Sequence, residues 1–385
     1  MKVLLISHTC QSRTEGQPKA FELARAGVDL CLLVPEKWMH YGQWRSVQKP
    51  DNPPFRFEVL PAKWAWCGPA QSYLHFYPGL GRLLRDFQPD VIDLWEEPWS
   101  LVSLHTLRLR DQICPRVPVV SETEQNIDKH LPPPFEPIRS RVLKRANFVV
   151  GRNSESLEIV KRKGFTGLSR VVPNAVDAQL FHPLTSDERA AKRAELGWKD
   201  GEFWCGYVGR LVPEKGILDL VEAVAKSEAD VRAVIVGDGA QKEELEARID
   251  ALGIKGRVEM RPGMKPSELA PLMGALDALV LPSRTTASWK EQFGRVLIEA
   301  NACSVPAIGS DSGAIPDVVG EGGLVFPEGD AEALAEAMNE LASNPAKARQ
   351  MGETGRRAVL ERYTWARVAE AMKGIYGELR PDLTL

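Results

Sequence analysis

Apolar residues in this chain fall into short continuous runs, separated by stretches in which they recur at helical spacing. Val3-Leu4-Leu5-Ile6 and residues 28–34 are two such runs. Between them, Pro18 to Gly27 places Ala20, Leu23 and Ala24 on one face of a predicted helix. A strand, helix, strand opening of this kind predicts a parallel sheet with helices on both sides. Residues 91–95, 117–120, 147–150 and 170–173 continue the strand series. Residues 38–78 alternate aromatics with Pro and Gly and read as a long, partly irregular insertion. A second strand series is predicted at 203–208, 231–236, 258–260, 278–281, 305–308 and 323–326. Helical patterns at 217–226, 241–252, 266–275, 294–303 and 331–342 fill its gaps. The stretch 174–200, with Pro183 and Gly197 inside it, reads as an interdomain link. The pattern predicts two similar α/β domains whose ligands bind beyond the carboxyl ends of the strands.

Length agrees with two domains, at 385 residues. The apolar fraction of 44% and charged fraction of 26% are those of a globular protein. A net charge of −3 argues against a general nucleic-acid binder. The charge is uneven: residues 1–180 carry 24 Lys/Arg and 19 Asp/Glu, whereas the remainder carries 25 and 33. Residues 139–170 hold nine basic residues against two acidic ones. The six cysteines are scattered with no C-x-x-C pair, which predicts free thiols in a reducing, cytoplasmic setting. The first apolar run is too short for a signal peptide, and no apolar stretch is long enough for a membrane span. No His/Cys grouping has zinc spacing. Gly237-Asp238-Gly239 begins like a dinucleotide fingerprint, but Lys242 stands where its third glycine belongs. Gly309 to Gly313 has the outline of a nucleophile elbow with Asp311 in the nucleophile's place, so a hydrolase is excluded.

Three segments carry chemistry. Gly209-Arg210-Leu211-Val212-Pro213-Glu214-Lys215-Gly216 follows a strand and precedes a helix. Two cations beside a helix N-terminus suit a diphosphate. Glu291-Gln292-Phe293-Gly294, followed by Glu299, is an E-x7-E pattern across a loop and a helix start. Carboxylates at its two ends can grip hydroxyls of an elongated ligand, with the N–H groups at Phe293 and Gly294 facing its middle. Residues 310–316 form a small-residue loop that permits close backbone approach.

Together these segments resemble the large "group 1" family of retaining GT-B glycosyltransferases. Val172-Pro173-Asn174-Ala175-Val176-Asp177, Val236-Gly237-Asp238-Gly239, Leu281-Pro282-Ser283 and Tyr363-Thr364-Trp365 extend the resemblance. It is strong over 170–365 and loose over 1–170. It implies a GT-B fold: two Rossmann-like doubly wound domains facing across a cleft, with a C-terminal helix crossing back to the N-terminal domain. Residues 1–178 plus 363–385 would form an acceptor-binding domain, and 179–362 a donor-binding domain. The implied activity is transfer of a hexose from a nucleotide-diphosphate sugar, UDP-glucose ahead of GDP-mannose, to a glycan, lipid-linked or small-molecule acceptor. Gly209, Arg210, Lys215, Gly237, Glu291, Phe293, Gly294 and Glu299 would bind the donor. Arg210 and Lys215 would stabilise the departing diphosphate, so neither a metal ion nor a cofactor is expected. An epimerase or sugar-phosphate synthase on the same fold, or a non-catalytic sugar-nucleotide-binding protein of a polysaccharide pathway, remain the alternatives.

The N-terminal half departs from the family pattern. Where relatives carry a His before an acidic residue and proline, this chain has Glu96 and Glu97 before Pro98. Either glutamate is a candidate base or acceptor-orienting group. Glu122, Glu124, Asn126 and the strand-end His8 are further acceptor-side candidates. Trp38, Trp44, Trp64, Trp66, Phe76 and Tyr77 could stack on sugars or pack a core. The Lys161-Arg162-Lys163 run closes a helix expected to be capped by Ser154. The basic 139–170 stretch is a candidate for peripheral contact with the inner membrane face.

Overall fold

The computed structural model describes residues 1–40, 43–67 and 70–383. The chain divides into two compact units, Met1–Pro173 with Trp365–Leu385, and Asn174–Thr364.

The first unit holds strands β1 (Lys2–Ile6), β2 (Asp29–Pro35), β3 (Lys37–His40), β4 (Gln43–Ser46), β5 (Arg56–Leu60), β6 (Val91–Leu94), β7 (Val119–Thr123), β8 (Phe148–Gly151) and β9 (Leu168–Val171). Its helices are α1 (Gln17–Arg25), α2 (Gln71–Leu74), α3 (Leu80–Phe87), α4 (Leu101–Ile113), α5 (Phe135–Leu143) and α6 (Ser154–Arg162). The main sheet runs β5-β2-β1-β6-β7-β8-β9 and its pairings are parallel. The continuous apolar runs are its central strands, buried on both faces as parallel strands must be. Side chains of β1, β2 and β6 join Leu80, Leu84, Leu107 and Val142 in one core.

The stretch 38–78 departs from the expected irregular insertion. It contributes the antiparallel strand pair β3–β4 and the edge strand β5, with Arg56 opposite Cys31. Arg-Phe-Glu-Val-Leu escapes a search for buried runs because an edge strand leaves part of each residue exposed. The α6 cap is also corrected. Asn153, not Ser154, is the cap, its side chain accepting from Ser156 N at 2.8 Å.

The second unit contains β10 (Phe203–Val208), β11 (Val231–Val236), β12 (Val258–Arg261), β13 (Ala278–Leu281), β14 (Ala307–Ser310) and β15 (Gly323–Phe326). They form the parallel sheet β12-β11-β10-β13-β14-β15. Its helices are α7 (Ser186–Glu195), α8 (Ile217–Lys226), α9 (Lys242–Ala251), α10 (Pro266–Ala275), α11 (Arg295–Ala302), α12 (Ile315–Val319), α13 (Ala331–Ser343) and α14 (Pro345–Arg362). Two apolar clusters cover the sheet, one including α10 and α11 residues, the other α8, α9 and α13 residues. The expected link at 174–200 proves to be part of this unit. Thr185 and Glu188 form a reciprocal capping box that starts α7. Arg189 and Arg193 pair with Asp277, and Trp198 stacks on Trp204 at 4.2 Å. Val176 N–H donates to Tyr363 O, which places the division near Pro173 rather than 178.

A last helix, α15 (Trp365–Leu379), returns to the first unit and packs on α1. Its anchor is a buried group of charges. Lys19 on α1 lies 3.0 Å from Asp93 and also pairs with Glu122, whose other oxygen pairs with Arg152. Both cations lie over the Trp95 ring. Tyr376 Oη donates to Asp93 Oδ2 at 2.6 Å. Two cations and two carboxylates balance, as burial of charge requires. Burial, with Glu122 beside it, pushes the Asp93 carboxyl up.

Tyr376→Phe deletes the one hydroxyl that ties α15 to this group. It is expected to cost about 1–3 kcal/mol, because a buried carboxylate oxygen loses a donor. Urea unfolding of the variant against wild type measures it, and equal stabilities would show that the bond carries nothing.

Candidate active site

In the second unit, the segments singled out for chemistry meet at the carboxyl ends of β10, β11, β13 and β14. Glu291 is where they join. Its Oε2 accepts from Lys215 Nζ at 2.6 Å and from Ser283 Oγ at 3.0 Å. Its main-chain oxygen accepts from Ala314 N at 3.1 Å. Ser310 Oγ in turn donates to Ser283 O at 2.5 Å. The Lys215 ammonium also lies over the Trp289 ring, 4.7 Å from its centroid.

Backbone packing draws these loops together. Gly216 (φ 63°) precedes α8, and a Cβ there would stand 1.9 Å from Pro282 O. Gly237 (φ 156°) lies against Gly209, where a Cβ would stand 1.8 Å from its carbonyl oxygen. Arg210 is partly exposed and reaches Glu214 at 3.4 Å. Gly294 precedes α11, whose first turn follows directly on the Glu291 loop. Phe293 has a buried side chain packed edge-on to Tyr363. Only its main chain is therefore available to a ligand. Glu299, half-buried on α11, accepts no hydrogen bond from a described residue. Burial pushes its carboxyl up to about 6 against the favourable charge of Arg295. Ser283 and Trp289 were missed as site residues. The Leu-Pro-Ser motif pointed to the first, and a lone aromatic in a polar loop was the signal for the second.

In the first unit, His8 and Glu96 meet at the carboxyl ends of the neighbouring strands β1 and β6. His8 Nδ1 lies 2.7 Å from Glu96 Oε2, and His8 N–H donates to Oε1 at 2.7 Å. His75 Nε2 faces the same carboxylate at 3.6 Å. Burial pushes Glu96 up, but the two imidazoles outweigh it and hold the carboxyl at about 2. Glu97 is the reverse case. Burial pushes it up to about 7 despite hydrogen bonds from Thr123 Oγ1 at 2.6 Å and Glu124 N at 2.8 Å. Glu124 is partly exposed beside Trp95 and Arg152, and Asn126 is buried. Glu122 is a correction. Its side chain is fully buried and both oxygens are engaged by Lys19 and Arg152, so it holds the fold rather than an acceptor.

His8, His75 and Glu96 are the one group of potential metal ligands found among the described residues, within 4.8 Å of one another. The 2.7 Å approach of Nδ1 to Oε2 is a hydrogen-bond separation, so these atoms share a proton. The early aromatics divide. Trp38 and Tyr77 are buried, Phe76 is half-buried, and Trp44, Trp64 and Trp66 are exposed.

The basic stretch is largely neutralised in space. Arg139, Arg145, Arg152, Arg162, Lys163 and Arg170 pair with Glu136, Asp111, Glu122, Asp128 and Glu378. Among the described residues, only Arg141, Lys144 and Lys161 of this stretch lack such a partner. No helix among them is long and apolar enough to cross a membrane.

Gly216→Ala is expected to cost clearly more than Gly253→Ala in thermal denaturation. Both glycines have positive φ, but nothing lies within 4 Å of a Cβ at Gly253. The backbone strain alone costs about 1 kcal/mol, and the clash with Pro282 adds to it only at Gly216.

Comparison with known proteins fits this geometry. Residues 188–358 match the model of the glycosyl transferases group 1 family. The D-inositol 3-phosphate glycosyltransferase of Segniliparus rotundus is 32% identical over 215 residues, covering 54% of this chain and 46% of that protein. The chain thus spans about half the length of such curated relatives. Sucrose-phosphate synthase of Thermosynechococcus elongatus superposes over all of both chains with a TM-score of 0.76 at 23% identity. Anabaena HepE, crystallised with UDP, covers 98% of this chain and all of its own with a TM-score of 0.76 at 18% identity. Residues 188–358 are thus similar to the glycosyl transferases group 1 family, and the chain has the GT-B fold of its structural neighbours.

Proposed function

We propose that this protein is a retaining glycosyltransferase that moves a hexose from a nucleoside-diphosphate sugar to a hydroxyl acceptor. The convergence of Lys215, Ser283 and Glu291 at strand ends carries the reading. Lys215 and Arg210 hold the diphosphate and stabilise its charge as the bond to the sugar breaks. Glu291 accepts hydrogen bonds from the sugar's hydroxyls, and Lys215 turns from it toward the phosphate when the donor enters. Glu299 accepts from the ribose hydroxyls at the other end of the ligand. The side-chain cations take the role a metal ion fills elsewhere, and no cofactor is required. His8, Glu96, Glu97 and Glu124 of the first unit serve the acceptor. UDP-glucose leads GDP-mannose as donor, a preference supported by the UDP in the HepE structure. Six basic residues of 139–170 are already paired, so we place no membrane contact there.

A thermal-shift screen of UDP-, GDP-, ADP- and TDP-sugars tests the donor. At least one should raise the melting temperature, and the same compound should be turned over to free nucleoside diphosphate. Stabilisation without turnover would favour a sugar-nucleotide-binding protein instead. Glu291→Ala should keep its fold by circular dichroism and lose about 100-fold or more in kcat. Donor affinity should rise with pH through about 6, as Glu299 ionises and becomes the stronger acceptor. Calorimetric titration at pH 5 and pH 7.5 should lose that dependence in Glu299→Gln.

A further inference from the structure

The protons on His75 can be assigned from its neighbours. Its side chain is fully buried just after α2, with Nδ1 3.0 Å from Gln71 O. A carbonyl oxygen only accepts, so the ring proton sits on Nδ1. Nε2 of the neutral ring is then a bare lone pair, buried without a hydrogen-bond partner among the described residues. It faces Glu96 Oε1 at 3.6 Å, too far for a hydrogen bond. Two lone-pair atoms thus face one another in the interior, which costs free energy unless a cation lies between them. The proton that His8 Nδ1 shares with Glu96 Oε2 at 2.7 Å does not serve this pair. A second proton on His75 would leave an N–H at the same 3.6 Å, still unbonded. A histidine whose outer nitrogen donates to a backbone carbonyl, and whose inner nitrogen is turned to other ligand atoms, has the arrangement of a metal ligand.

We propose that His8 Nδ1, His75 Nε2 and the Glu96 carboxylate hold one divalent transition-metal ion of the zinc class within the first unit. Their ligand atoms lie within 4.8 Å of one another. Bonds of about 2.0–2.2 Å in a tetrahedron put ligand atoms about 3.3–3.5 Å apart. The His75–Glu96 spacing of 3.6 Å is close to this. The His8–Glu96 contact opens by about half an ångström as the ion takes the place of the shared proton. His8 then keeps a proton on Nε2 only. Two imidazoles and a carboxylate suit Zn²⁺, whereas Mg²⁺ and Ca²⁺ prefer oxygen throughout. Trp38 stacks on the His8 ring at 4.5 Å and meets His75 edge-on at 4.8 Å, so both rings are held in orientation. The His75 and Glu96 side chains are 0% and 1% exposed, and that of His8 is 27% exposed. The fourth position of the tetrahedron is taken by an oxygen from solvent or ligand. The ion fastens the end of β1, the residue after α2 and the end of β6 to one another. It lies outside the transferase reading, in which the diphosphate is held by the second unit's own cations.

The test uses the full chain, purified without added histidines, stripped with a chelator and titrated with ZnCl₂ by calorimetry. One ion should bind per chain, and the melting temperature should rise with it. His8→Gln, His75→Gln and Glu96→Gln should each weaken binding by more than the roughly 10–100-fold typical of losing a group that only orients a ligand. Each should also lose the zinc-dependent rise in melting temperature. His182→Gln, at an exposed histidine of the second unit, should change neither. MgCl₂ should give no rise. Co²⁺ in place of zinc should show the visible absorption of a tetrahedral site in wild type and not in the three variants. Circular dichroism checks the fold, and if His75→Gln is unfolded, His8→Gln at the partly exposed ligand decides. A wild type that takes up no zinc overturns the proposal and leaves a water molecule to meet Nε2. Zinc bound equally by the folded variants sits elsewhere, as on the free thiols, and also overturns it. A response to MgCl₂ equal to that to ZnCl₂ does the same. None of these readouts involves sugar transfer, so failure here leaves the transferase reading standing.

Discussion

The carboxylate of Glu291 takes hydrogen bonds from Lys215 and Ser283 while its main chain takes one from Ala314. The loops that carry Lys215, Ser283 and Ala314 are all fastened to that residue. A carboxylate among strand ends would repel a diphosphate if it stood alone. Paired with Lys215 it presents no net charge, and the pair can open toward a ligand that carries both phosphates and hydroxyls. Because Lys215 is already drawn over Trp289 and toward Glu291, little side-chain freedom is left to lose on binding.

The first unit places its charges differently. Lys19, Asp93, Glu122 and Arg152 are interior, mutually neutralised, and joined to the last helix through Tyr376. Such a cluster gives little net stability over an apolar core but punishes the loss of any one partner. Two adjacent glutamates of this unit have opposite characters for plain reasons. Glu96 has imidazoles for neighbours and stays ionised, whereas Glu97 has a hydroxyl, an amide and other carboxylates.

Much of the fold was readable because parallel strands buried on both faces are continuous apolar runs. The same physics explains two of the misreadings. Strand β5 lies at a sheet edge, where Arg56 and Glu58 can face water, so its run is broken. Helix α7 buries few apolar side chains and docks through arginines on Asp277, so it has no clear apolar stripe. Its Thr185–Glu188 capping box was the available signal, since that pattern is local.

By itself, the amino-acid order determined the alternation of strands and helices, the glycine-bearing turns, and the residue types able to hold a phosphate and a sugar. These depend on neighbours within a few positions, and local geometry is written in local sequence. Only the tertiary structure decided which of those residues meet. His8 and Glu96 are 88 positions apart, and Lys215 and Glu291 are 76 apart. Their contacts exist because adjacent parallel strands end side by side. The same packing sealed Glu122 inside while leaving His8 at the surface, a distinction of burial that no spacing along the chain encodes.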